Sequence, residues 1–147
     1  MPTNILRART PKPAAARPRP AVHREVRITA GCVVVRAELL ATPTADRIWA
    51  ALPIFSTAET WGDSIHFETP IETGRERSAK RNVNPGEICF WSEDDRVIVG
   101  FGPTPISGPG EIRLPSPCNV WARALDDVTA LARITPGEKV SITRLET

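Results

Sequence analysis

The sequence predicts a mainly β domain, rolled into a closed or nearly closed barrel of about eight strands with two short helices. Several short segments alternate apolar and polar residues, which is the period of a half-buried strand. The 147 residues include 15 Pro and 9 Gly, so many turns are expected between short elements. A hydrophobic content of 41% suffices for one hydrophobic core, whereas each of two domains would have too few apolar residues to form a core of its own.

The first elements are a predicted hairpin followed by a predicted helix. Gly31 permits a turn between two alternating segments, residues 26–30 and 33–39. Thr42-Pro43-Thr44 is typical of a helix start, because proline is tolerated in the first turn. Pro53 predicts the end of this helix. Its apolar stripe is Ala45, Ile48, Trp49 and Leu52, which suits a plug at one end of a barrel.

The remaining elements are shorter and separated by turn residues. In the strand that follows Gly62, alternation places Ile65 and Phe67 on one face and His66 on the other. Strands are also predicted over 88–91, 97–101, 119–125 and 138–145, a surface loop over 72–84, a long loop over 102–117 and a short helix over 126–134. A loop as long as 102–117 is usually functional or mobile.

The charge of the chain is divided between two parts. Residues 1–24 carry six basic side chains and no acidic one, which leaves 13 basic and 17 acidic residues for the predicted domain, residues 25–147. The segment 1–24 is rich in Pro, Ala and Arg, so it is predicted to be an extended or disordered arm. It is interpreted as a solubilising tail or a misassigned start, or else as a weak nucleic-acid or membrane-surface arm. The tail is favoured because no aromatic residue is interleaved for base stacking.

Several classes of protein are not supported by the composition. No apolar run approaches the roughly 20 residues that cross a bilayer, and no secretory signal core is present, so a cytoplasmic protein without membrane contact is expected. Cys32, Cys89 and Cys118 are odd in number and widely spaced, which favours reduced thiols. With only two histidines, no metal site and no cofactor are expected.

Five sequence blocks resemble a known family. They are TWGDSIHFETP (60–70), NPGEICFW (84–91), VGFGPTPIS (99–107), SPCNVWARAL (116–125) and GEKVSITRL (137–145). Together they resemble the small bacterial and archaeal cyclophilin-like proteins over residues 26–146. The resemblance implies a barrel related to the peptidyl-prolyl isomerases and trimmed of several loops. Since the family is mostly of unknown function, it implies a fold more than an activity.

The resemblance to true cyclophilins fails at their functional arginine. Those enzymes carry His-Arg-x-x-Pro, and the matching stretch here is His66-Phe67-Glu68-Thr69-Pro70. Phe67 therefore stands where the family places the arginine that favours the twisted prolyl amide. The resemblance implies at most weak prolyl isomerisation.

Other positions still match an apolar pocket. Phe101, or Val99 beside it, matches the phenylalanine at the floor of the cyclophilin proline pocket. Asn119 or Cys118 lies near the position of a histidine that borders it. The resemblance thus implies a pocket without its electrophilic partner.

The candidate ligand-binding residues are aromatic and loop side chains expected to surround one hollow beside residues 102–117. Each aromatic ring could instead belong to the core, and the loop hydroxyls could instead close local turns. The candidates are Trp61, Phe67, Trp91, Phe101, Thr104, Pro105, Ser107 and Asn119.

No catalytic constellation is evident. Asp63, Ser64 and His66 are the three residue types of a catalytic triad, but at this spacing along a strand their side chains cannot converge on one point. His66 is therefore interpreted as a surface histidine, and His23 has no predicted partner. Asp94-Asp95 is interpreted as a solvated hairpin turn, and Cys118 as an inert thiol.

Three functional hypotheses remain open. The first is a binding module for a short peptide or a small hydrophobic molecule. The second is an isomerase, either a weak peptidyl-prolyl isomerase or a small-molecule isomerase or cyclase that uses pocket shape. The third is nucleic-acid binding through the basic arm alone, which is the least favoured. The sequence does not determine the oligomeric state.

Overall fold

The computed structural model describes residues 23–145. Within this range the chain forms ten strands, one α-helix and one 3-10 helix. Their bounds are β1 (Glu25–Ala30), β2 (Val33–Leu39), α1 (Pro43–Ala51), β3 (Ile54–Thr57), β4 (Glu59–Thr60), β5 (Ser64–Glu68), β6 (Lys80–Asn82), β7 (Glu87–Trp91), β8 (Arg96–Gly100), β9 (Arg113–Ala124), the 3-10 helix (Val128–Arg133) and β10 (Lys139–Leu145). Most of the predicted arm, residues 1–22, lies outside the described residues.

The strands form one antiparallel sheet in the order β3-β10-β1-β2-β9-β7-β8-β5-β4, and β6 pairs with β9 off this path. No ladder joins the two edge strands, β3 and β4, so hydrogen bonds do not close the sheet. Only Ala58 separates these edges along the chain. The Ala58 N–H donates to the Glu138 carbonyl at 2.8 Å, and the Gly137 N–H donates to the Ala58 carbonyl at 2.8 Å. The chain itself thus links one edge to the other, which confirms a mainly β, nearly closed barrel.

The interior of the rolled sheet is the main core. In β1 and β2 every second residue is buried, as the alternation predicts. The largest fully buried side chains are Trp121, Phe67 and Phe90, and each belongs to this core. Burial of apolar side chains, of which these rings are the largest here, is the dominant favourable term in folding.

Both predicted helices are present, although the second is a 3-10 helix. Thr42 caps α1, because its hydroxyl oxygen accepts the Ala45 N–H at 3.0 Å. Ile48 of α1 is fully buried in the core. Asp127 accepts the Thr129 N–H at 2.9 Å and so caps the 3-10 helix. The two helices therefore begin with side-chain caps that the sequence supplies locally.

A second, smaller core lies on the outer face of β7, β8 and β9. It is formed by Val83, Cys89, Ile98, Ile112, Leu114 and Cys118. Because β8 has a core on each face, Val97, Ile98 and Val99 are all buried. The strand β6 and the loop 101–112 cover this outer face, so the barrel wall is two layers thick here.

The structure corrects three sequence-based boundaries. The predicted loop 72–84 contains β6, β3 and β4 were not predicted, and β9 begins at Arg113 rather than near residue 119. Pro115 and Pro117 obscure the start of β9, since proline cannot donate to a ladder. In this stretch the Arg81 side chain donates to the carbonyls of Leu114 and Pro115, each at 3.0 Å. A side chain distant in sequence thus stabilises a segment whose composition favours a loop.

Phe67 and Phe55 provide a matched test of the core. Phe67 is fully buried, whereas Phe55 is 73% exposed. We expect Phe67→Ala to lower the free energy of unfolding by about 3–5 kcal/mol, because the substitution leaves a cavity. Phe55→Ala should change it by less than about 0.5 kcal/mol. Urea denaturation measures both values, and equal effects would contradict this placement of the two rings.

Candidate functional site

A groove of about 340 Å³ lies on the outer face of the barrel, where β5 and β8 pair and where β7 ends. Register places His66 opposite Ile98 and Glu68 opposite Arg96. Since alternate residues of a strand point to opposite faces, His66, Arg96 and Ile98 point outward. The groove is lined by Glu59, Trp61, His66, Trp91, Asp94, Arg96, Ile98 and Pro115.

Trp61 is held in the groove by the turn between β4 and β5. The backbone N–H of Trp61 donates to the Ser64 carbonyl at 3.0 Å, and the Ser64 hydroxyl donates to the backbone carbonyl of Trp61 at 2.6 Å. Gly62 has a φ of +60°, and a Cβ at this position would lie 2.9 Å from the Cα of Thr104. Glycine therefore lets the loop 101–112 pack directly against the turn that positions Trp61.

Trp91 ends β7 and packs on the second core. Its ring contacts His66 edge to face, with centroids 6.1 Å apart and an interplanar angle of 79°. This is a favourable arrangement for aromatic rings. The indole N–H of Trp91 is buried and has no hydrogen-bond partner among the residues that the structure describes. Trp91 is thus, with Trp61, one of two indoles that line the groove.

Arg96 organises the polar side of the groove. Its Nε donates to Asp94 at 2.9 Å, and its Nη1 lies 3.5 Å from Glu59 and 3.2 Å from Nδ1 of His66. Because a guanidinium only donates, Nδ1 of His66 accepts and the neutral imidazole carries its proton on Nε2. Burial, and then the charge of Arg96, lower the pKa of His66. With His66 neutral, two carboxylates and one guanidinium give these side chains a net charge of −1.

None of the described residues that line the groove is an activated nucleophile. All three cysteines lie within residues 23–145 and are free thiols. Burial raises the pKa of Cys118 to about 12 and raises that of Cys89 well above its usual value. No group of side chains suited to a metal ion is found within residues 23–145.

The structure brings together two of the four aromatic residues predicted to share a hollow. Trp61 and Trp91 line the groove. Phe67 does not, because it faces the interior while its neighbour His66 faces outward. Phe101 follows β8 and packs against the main core. The prediction of a single four-ring hollow is therefore wrong, since Phe67 is buried in the core and Phe101, which is partly buried, packs against that core.

The predicted loop residues make contacts within their own loop. The Ser107 hydroxyl oxygen accepts the N–H groups of Thr104 at 2.9 Å and Arg113 at 3.0 Å. The Thr104 hydroxyl donates to the Arg113 carbonyl at 2.5 Å. Pro105 is exposed and packs against Gly62. Of the two sequence-based interpretations, local turn closure accounts for these contacts.

Asn119 lies inside the barrel rather than at the groove. It is fully buried, and its Oδ1 accepts the Glu76 N–H at 2.8 Å. Its Nδ2 donates to the Thr44 hydroxyl at 3.0 Å and to the Gly74 carbonyl at 2.9 Å. The Glu76 carboxylate in turn accepts the Thr44 N–H at 2.9 Å. This buried network fixes the loop 72–79 to the start of α1, so Asn119 has a structural role.

The polar residues of the groove were not among the sequence-based candidates. His66 was interpreted as a surface histidine, yet it is half-buried between Arg96 and Trp91. The alternation of Arg96, Val97 and Ile98 does indicate that Arg96 and Ile98 share a face. The pairing of β8 with β5, which brings Arg96 to His66, is not visible in either segment alone.

A larger but shallow hollow of about 1080 Å³ lies between β3 and residues 68–70, where the sheet is not closed. Phe55 is exposed at this edge, and Glu68 and Lys139 are the charged residues that line it. We regard the smaller groove as the better candidate, because two indoles, a guanidinium and an imidazole converge there.

A sequence model of the family described as Cyclophilin-like matches residues 24–143. The chain belongs to this family. None of the curated proteins compared with the chain matches it. Within residues 23–145, no helix has the length and apolar character needed to cross a membrane.

Two solved structures share the fold of this cyclophilin-like chain. The hypothetical protein AF2241 from Archaeoglobus fulgidus is 33% identical, with a TM-score of 0.73, and the match covers 84% of this chain and 96% of that one. McbB, solved in complex with tryptophan, is 15% identical, with a TM-score of 0.63. The match covers 83% of this chain and 45% of McbB, so the chain spans less than half the length of McbB.

The two histidines should titrate on opposite sides of the ordinary histidine pKa of about 6.5. His23 contacts Glu25, and its Nδ1 lies 2.8 Å from Glu38. The hydrogen bond to Glu25 is the main cause that raises its pKa, which corrects the expectation that His23 has no partner. Burial lowers the pKa of His66. NMR titration of the imidazole protons should therefore give a midpoint above 6.5 for His23 and below 6.5 for His66.

The same shifts fix the direction of the pH dependence of stability. The contribution of His23 is present below pH 6.5 and is lost as the pH rises through its raised pKa. His66 opposes folding as the pH falls below 6.5, because the unfolded chain binds the proton more readily. A His66 midpoint above 6.5 would contradict the contact with Arg96 and the burial of the ring.

Proposed function

We propose that this cyclophilin-like domain binds a short peptide or a small hydrophobic ligand in the groove bordered by Trp61 and Trp91. The observation that carries the proposal is the convergence of two indoles from different segments on one groove beside a guanidinium. Indole rings offer large apolar contact areas at a low entropic cost, because each has only two side-chain torsions.

The polar side of the groove supports a ligand with a hydrogen-bond acceptor. His66 presents its Nε2–H, because Nδ1 already accepts from Arg96. Nη2 of Arg96 makes no hydrogen bond among residues 23–145, while Nε and Nη1 are engaged. A peptide carbonyl or a carboxylate would satisfy these donors. An apolar group on the indoles and an acceptor near Arg96 together define the ligand chemistry.

Binding of N-acetylated proline and tryptophan peptides tests the proposal. The bound tryptophan of McbB is a reason to include an aromatic probe, although at 15% identity it shows the fold alone. Trp61→Ala should weaken the best probe at least tenfold, since one indole surface is lost. Trp49→Ala is the matched control, because Trp49 lies in α1, away from the groove, with the guanidinium carbon of Arg144 4.4 Å from its ring centroid. Isothermal titration measures the Kd values, and equal losses in both variants would reject the groove.

Weak peptidyl-prolyl isomerisation is a second candidate, favoured by one observation. Although Phe67 stands where the true cyclophilins carry their arginine, Arg96 of β8 brings a different guanidinium to the groove on the outer face. Asp94 and Glu59 contact this guanidinium, and their negative charge weakens its attraction for a prolyl carbonyl. The barrier to uncatalysed rotation is about 18–20 kcal/mol, and because the guanidinium is already paired with carboxylates, we expect it to lower this barrier only slightly.

A proline-peptide isomerisation assay decides this second candidate. The wild-type rate should exceed the uncatalysed rate by no more than about tenfold, and Arg96→Gln should return it to the uncatalysed value. Phe101→Ala, next to the core rather than the groove, should keep any activity of the folded protein. Catalysis that survives Arg96→Gln would exclude the guanidinium as the active group.

A further inference from the structure

We propose that the groove is occupied by a segment of the same chain, residues 9–13, with the sequence Arg-Thr-Pro-Lys-Pro. This inference rests on the proposed function, because it names a peptide for the same groove. It makes the arm an intramolecular ligand with which an external ligand must compete.

Charge complementarity is the first argument. The groove side chains carry a net charge of −1, and Asp95 follows Asp94 in the adjoining turn between β7 and β8, whereas Glu93 of the same turn is paired with Arg75 at 2.8 Å. Glu59 and Asp94 are 58% and 52% exposed, so a cation can reach both. Residues 1–22 carry five basic side chains and no acidic one. The Lys12 ammonium is thus attracted to the carboxylate side of the groove.

Shape is the second argument. Proline-containing segments adopt an extended, preorganised helix that docks in aromatic-lined grooves at a low entropic cost. Pro11 and Pro13 flank Lys12, so two rings can contact the indoles of Trp61 and Trp91 while the ammonium between them meets a carboxylate. A volume of about 340 Å³ accommodates only a few residues of such a segment.

The length of the arm favours Lys12 over Arg19 as the residue that reaches the groove. Four strand steps separate β1 from β8 in the sheet order, or about 19 Å at about 4.8 Å per step. The ten residues from 13 to 22 span up to about 33 Å, which leaves room to follow the outer surface. Arg19, four residues before His23, reaches only about 13 Å. Arg19 therefore has the charge of Lys12 but cannot reach the groove.

This difference provides a matched pair of full-length variants, Lys12→Glu and Arg19→Glu, with the same net charge. The probe is a fluorescent, N-acetylated peptide of residues 9–13, and fluorescence polarisation gives its Kd. We expect Lys12→Glu to bind the peptide at least threefold more tightly than the wild type, because its own arm no longer competes. Arg19→Glu should bind it as the wild type does. Equal affinities in the two variants would overturn the proposal.

Reversal of the charges tests whether Lys12 acts on the groove directly. In ¹⁵N spectra at low salt, Lys12→Glu should shift the indole N–H resonance of Trp61. Adding Glu59→Lys should restore the wild-type position, since the opposite charges again attract. Failure of this double variant to restore the resonance would count against the docking. A shift in the wild type that grows with protein concentration would overturn it too, because the occupant would be a second copy.

A neutral probe separates this inference from the proposed function. If the dipeptide acetyl-Ala-Pro-amide binds Lys12→Glu at least threefold more tightly than the wild type, the arm occupies the groove. If it binds both equally, the inference is wrong while the proposed function stands. If neither this probe nor the basic peptide binds any variant, the inference fails, whereas the proposed function fails only if the tryptophan peptides do not bind either.

Discussion

In the β5–β8 pair, Phe67 and Val97 lie opposite each other in the interior, while His66 and Ile98 lie opposite each other on the outer face. The core and the groove are thus two faces of one pair of strands. A slip of one residue in this register would exchange the faces and bury Arg96. The packing that stabilises the barrel therefore also determines which side chains a ligand can meet.

The second core gives the groove a rigid border. The outer faces of β7, β8 and β9 are covered by β6 and the loop 101–112, so Trp91 packs on protein on one side and faces the groove on the other. On the far border, Gly62 lets the same loop contact the turn that carries Trp61. Side chains held by packing lose less entropy when a ligand binds. Such preorganisation favours recognition by shape.

The electrostatics of the groove support the proposed binding role more than the proposed catalysis. Arg96 is the single guanidinium of the site, and two carboxylates and an imidazole already contact it. Because these carboxylates already neutralise the charge of the guanidinium before any reaction begins, the guanidinium stabilises negative charge on a substrate oxygen less in the transition state. The same carboxylates remain partly exposed and can accept a cationic ligand group. One set of contacts therefore weakens the case for isomerisation and supports the recognition of a basic segment.

The sequence by itself determined the class of fold, because strand alternation, turn residues and helix caps act between near neighbours along the chain. It also singled out Trp61 and Trp91 as candidates, and both line the groove. Only the tertiary structure decided that Phe67 faces the core and that Arg96 reaches His66, since the pairing of β5 with β8 joins residues about 30 positions apart. The role of Asn119 likewise depends on contacts with Thr44 and Glu76, 75 and 43 positions away. Local patterns determine which face of a strand is apolar. The residues that pack against that face depend on how all the strands pair and how the sheet curves into a barrel.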